Sequence, residues 1–72
     1  MATMLDRVVE ARHELEDALS ERVAAQERFE YAIGTSMETG AYQRLRRATR
    51  RVTQADRALK SAAADQTHFI PV

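Results

Sequence analysis

The run YQRLRRATRRVTQADRALK, residues 42–60, decides the fold. Taken in sevens, Leu45, Val52 and Leu59 share one position of the repeat, a, while Ala48, Ala55 and, just past the run, Ala62 share the position three residues on, d. Nearly everything else is polar, and six of the residues in the run are arginine. Steps of three and four keep one narrow stripe of a helix aimed at a neighbouring helix. A basic helix whose seam alternates large and small apolar residues needs a partner helix.

The first half of the chain supplies it. No proline or glycine interrupts Thr3 to Ile33, and the same repeat puts Val8, Leu15, Arg22 and Phe29 at a, with Ala11, Ala18, Ala25 and Ala32 at d. Across both halves all seven of these d positions are alanine, and six of the seven a positions are large and apolar. Small residues let two helix backbones approach while large ones fill the layer. Gly34 supplies a left-handed end to the first helix. Thr35 with Glu38 matches a capping box that allows the second helix to start as early as Ser36, while Gly40 argues for a later or distorted start near Thr39. Thr3, with Asp6 three residues on, is the candidate cap of the first helix. A connection this short makes the helices antiparallel neighbours. The expected fold is all-α: an antiparallel two-helix hairpin over residues 1–65, with helices at about 3–33 and 37–64, pairing into a four-helix bundle. Residues 66–72 are expected to form an extended tail.

Length sharpens the expectation of pairing. A chain of 72 residues is one domain at most, and a core of that size supplies only about 3–5 kcal/mol unless disulfides, metal or association add to it. The chain has no cysteine and two histidines, so neither a disulfide nor a dedicated metal clamp is expected. Glu10 and His13 match a Glu-x-x-His metal spacing, but they fall away from the seam, where such ligands do not converge.

Eleven acidic residues balance eleven basic ones, but unevenly. Residues 3–33 hold eight acids against four arginines, and residues 41–64 hold seven bases against the single acid Asp56. Attraction between the two halves is one reading of this asymmetry, and a surface for an anionic partner is the other. Opposing g positions place Arg51 near Glu21. Arg22, the one charged a residue, either lays its stem along the seam with its head in water or pairs with Asp56. Arg46, Arg50 and Arg57 point outward with Arg47 between them, and they are the candidate contacts for nucleic acid or an acidic partner. No aromatic residue interleaves them for base stacking and no helix-turn-helix spacing is present, so nucleic acid is the second choice.

The first helix carries a further apolar strip. Leu5, Val9, Leu19, Val23 and Ile33 lie beside the seam, broken by Arg12, Glu16, Gln26 and Glu30. One antiparallel neighbour does not cover both strips, and exposed apolar patches mark interfaces. The C-terminal Phe69, Ile70 and Val72, around Pro71, either fold back over the bundle end or insert into a groove on a partner.

No histidine, acid and nucleophile share a face, so neither a catalytic residue nor a cofactor is expected. No apolar run reaches the ~20 residues of a membrane span, and the N-terminus lacks the pattern of a secretory signal. These features imply a cytoplasmic, non-enzymatic assembly or adaptor protein. It would associate with itself, a larger protein, or both, as a subunit of a multiprotein or phage particle does.

Overall fold

The structure, a computed structural model, describes residues 4–68, with side chains for residues 5–65. Thr3 and the apolar residues Phe69, Ile70 and Val72 lie outside the described residues. Two helices, α1 (Met4–Ala32) and α2 (Glu38–His68), pack against each other, and no strand occurs among the described residues. Two contacts establish the antiparallel direction. Arg51 forms an ion pair with Glu21, and the rings of Phe29 and Tyr42 meet at 5.7 Å between centroids, inclined at 50°. Eight residues forward along α1 thus correspond to nine residues back along α2.

The connection is built from backbone chemistry. Gly34 adopts φ 83°, a left-handed value that costs an L residue with a Cβ but not glycine. The Thr35 N–H then donates to the Ala32 carbonyl at 2.9 Å, and the Thr35 hydroxyl donates to the same oxygen at 2.6 Å. That hydroxyl oxygen also accepts from the Met37 N–H at 3.2 Å, so one side chain serves the end of α1 and the start of α2. The expected capping box forms only in part. Its return contact needs the Thr35 N–H, which the Ala32 carbonyl occupies, and Glu38 instead begins α2 half-buried at the next a position of the seam. Gly40 lies inside α2, and the helix carries it from Glu38 onward without a late start. At the far end α2 runs to His68, beyond the expected stop near residue 64. Residues 66–68, expected to be extended, are therefore helical. No glycine or proline breaks the chain between Ala62 and His68, and three of those residues are alanine, the strongest helix former.

Ala41, one heptad before Ala48 and inside α2, extends the d series to eight alanines. These alanines form the interior. Ala11, Ala18, Ala32, Ala48 and Ala55 are the buried apolar residues, with Ala18 fully enclosed, and no large side chain is fully buried among the described residues. Val8, Leu15, Phe29, Leu45, Val52 and Leu59 are half-buried along the same seam. Each gains the greater part of the roughly 1.5–3 kcal/mol that full burial of such a side chain contributes. The resulting rod measures 57 × 21 × 14 Å with a radius of gyration of 16.5 Å, against about 11 Å for a globule of this length.

Candidate interaction surfaces

The apolar strip of α1 stands in solvent. Leu5, Val9, Leu19 and Val23 are between 37 and 59 % exposed, and Ile33, just past the last turn of α1, is 56 % exposed. Ile33 stays aligned with the helix because its N–H donates to the Phe29 carbonyl at 3.1 Å. The polar breaks in the strip are exposed as well. The Gln26 amide donates to a Glu30 carboxylate oxygen at 3.5 Å, and His13 Nδ1 lies 3.9 Å from Glu16. Neither Arg12 nor Glu30 has an ion-pair partner among the described residues.

The arginines of α2 divide into two groups. Arg46, Arg50 and Arg57 line a shallow depression along the outer side of α2, together with Tyr42, Thr49 and Thr53. Arg47 belongs elsewhere. With Arg28, Arg44 and Arg51 it lines an open groove at the hairpin end, together with Ala24, Gly40, Tyr31 and Met37. Position along a helix fixes azimuth at about 100° per residue, so Arg47 stands well round α2 from Arg46. The sequence grouping of these four arginines is therefore corrected to three and one. The expectation that no aromatic stands among them is also corrected, because Tyr42 shares the depression with Arg46 and Arg50 while half of its surface stays exposed.

Tyr31, 89 % exposed, and Met37, 73 % exposed, are surface features the heptad reading passed over. Their signal was present as large apolar side chains at positions belonging to neither apolar stripe.

Arg51 is the one arginine with an ion-pair partner among the described residues. The hydrogen bond and the charge of Glu21 raise its pKa above the ordinary arginine value, opposed by burial and assisted by Asp17 and Glu14. Glu14 and Asp17 stand seven and four residues before Glu21, on the same side of α1. The pairing with Asp56 weighed for Arg22 does not form. Asp56 instead accepts Lys60, one turn along, at 3.0 Å, and Arg22 is half-buried on the seam.

Glu10 and His13 are both exposed, and no group of three or more potential metal-ligating side chains occurs among the described residues. No helix among them is long and apolar enough to cross a membrane. The described surfaces combine separated charge with exposed aliphatic area, an arrangement suited to binding a complementary surface. Comparison with protein-family models, curated proteins and solved structures finds no match to the chain.

Proposed function

We propose that this chain is a non-enzymatic assembly module whose hairpins associate with one another into a four-helix bundle, the bundle in turn serving as an adaptor or subunit of a larger particle. One observation carries the reading. The buried apolar residues are all alanine, while five large aliphatic side chains stand on one strip of α1 in water. The accessible surface of 5959 Å² points the same way, since a compact monomer of 8.2 kDa exposes about 4,500 Å².

Light scattering tests this. The native chain is expected at twice 8.2 kDa in both low and high salt, because apolar contacts are not screened. The double variant Leu19→Glu/Val23→Glu is expected at the monomer mass. A native chain that stays monomeric at high micromolar concentration would overturn the reading.

A second reading is favoured by the company that Tyr42 keeps with Arg46, Arg50 and Arg57. Such a surface suits a single-stranded nucleic acid, with phosphates at the arginines and a base against the exposed ring. Binding of a single-stranded oligonucleotide that weakens steeply with salt, and that is lost on changing Arg46, Arg50 and Arg57 to glutamine, would support it. Salt-insensitive binding unaffected by those changes would exclude it.

A further inference from the structure

We propose that two copies of the chain pair antiparallel, about a two-fold axis crossing the hairpin at the level of the Glu21–Arg51 ion pair. This inference rests on the self-association reading and specifies its face, direction and register. The α1 strip is itself a seam. Its members Leu5, Val9, Arg12, Glu16, Leu19, Val23, Gln26, Glu30 and Ile33 advance by alternating steps of four and three. Two copies of such a seam laid antiparallel are restricted to registers one heptad apart.

In one register every polar position meets a polar one. Leu19 lies against Val23 of the second copy, Val9 against Ile33, Arg12 against Glu30 and Glu16 against Gln26. Each pair occurs twice by symmetry, and Leu5 extends toward the second copy's connection. Arg12 and Glu30, without ion-pair partners among the described residues of their own chain, acquire them. A slip of one heptad in one direction sets Leu19 against Glu16 and Arg12 against Val23. A slip the other way sets Leu19 against Glu30 and Ile33 against Glu16. A parallel in-register pair stacks Arg12 on Arg12 and Glu30 on Glu30, with like charges opposed.

The second helix gives an independent indication of the same axis. On α2 the corresponding seam contains Tyr42, Arg46, Thr49, Thr53, Asp56 and Lys60. Antiparallel pairing of this seam sets Thr49 against Thr53 of the second copy and Arg46 against Asp56. The Thr49 and Thr53 hydroxyls already donate to the Leu45 and Thr49 carbonyls of their own helix, at 2.9 and 3.3 Å, so covering them orphans no donor. The α1 pairs are centred on Glu21 and the α2 pairs on Arg51. These two residues are in contact within one hairpin, so a single axis serves both helices. Leu19 and Thr49 each stand two residues, about 200° of helix, from Glu21 and Arg51 respectively. Both seams therefore lie on the broad face opposite the ion pair.

Cysteine cross-linking tests the arrangement, since the native chain has no cysteine to confuse it. In the proposed dimer Val9 lies near Ile33 of the second copy but about 36 Å from its own counterpart, at 1.5 Å per helical residue. An equimolar mixture of Val9→Cys and Ile33→Cys chains is expected to give a covalent heterodimer under a short thiol-reactive cross-linker, and neither variant alone should link. Arg12→Glu is expected to raise the dimer dissociation constant about tenfold, and Arg12→Glu/Glu30→Arg to restore it. The dimer mass of each variant is read first by light scattering. A monomeric native chain removes the underlying reading. A native dimer in which Val9→Cys links to itself overturns the antiparallel direction alone. A native dimer in which the mixture does not link overturns the choice of face.

Discussion

At the scale of single residues, the connection holds the most testable chemistry. Gly34 and Gly40 sit six residues apart under opposite constraints. A Cβ at either position meets nothing within 4 Å, so backbone conformation alone separates them. Gly34 needs its left-handed φ, and Gly34→Ala is expected to destabilise by about 1 kcal/mol. Gly40 lies in ordinary helix, and Gly40→Ala is expected to stabilise by about 0.5–1 kcal/mol. Urea melts of the two variants at one protein concentration should move in opposite directions. Thr35→Ala removes a hydroxyl that both donates to the Ala32 carbonyl and accepts from the Met37 N–H, and it should cost about 1 kcal/mol in the same measurement. Arg51 makes a different kind of prediction. Because its folded pKa is raised, whatever stability it contributes is fully present below the unfolded arginine value and is lost only as pH rises through the folded one. The melting-temperature gap between the native chain and Arg51→Gln should accordingly show no change, on the arginine side, from neutral to mildly alkaline pH.

At the scale of the helices, the alanine positions determine how closely α1 and α2 approach. Ala18 is fully enclosed at the seam, whereas Ala24, six residues further along α1, is exposed. Ala18→Leu forces extra methylenes into a closed contact and is expected to destabilise by about 1–3 kcal/mol. Ala24→Leu adds the same atoms to open surface and should stay within about 0.5 kcal/mol of native. Paired thermal melts separate a packing effect from a helix-propensity effect, since both changes replace alanine with leucine. These seam positions were legible in the sequence because a repeat of seven is a statement about azimuth, and azimuth alone decides which residues face the second helix. The ion pair of Arg51 with Glu21 was legible for the same reason. What was not legible depended on axial detail. The capping box needs the Thr35 N–H, and only the folded connection shows that Ala32 has taken it. The position of Gly40 inside α2 depends on where the connection delivers the chain. Arg47 was grouped with Arg46 and Arg50 by adjacency in the chain, although neighbouring residues on a helix point about 100° apart.

At the scale of the whole molecule, the question is whether one hairpin is a stable unit. Its interior holds alanines, which gain little from burial, and the larger seam residues are covered only in part. Fixing the 29 residues of α1 and the 31 of α2 costs roughly 1–2 kcal/mol each in backbone entropy, which a single narrow seam is poorly equipped to offset. If pairing supplies the missing burial, folding and association become one equilibrium, and stability depends on protein concentration. The melting temperature should then rise steadily with concentration across a hundredfold dilution series followed by circular dichroism. For a hairpin stable by itself it would stay constant. Salt adds a second axis to the same experiment. The apolar pairs Leu19–Val23 and Val9–Ile33 are indifferent to screening, while the Arg12–Glu30 pairs are weakened by it. The slope of melting temperature against the logarithm of concentration should therefore persist at high salt, with the whole curve displaced modestly downward. A slope that vanishes at high salt would locate the association in the charged surfaces of α2 and away from the aliphatic strip of α1.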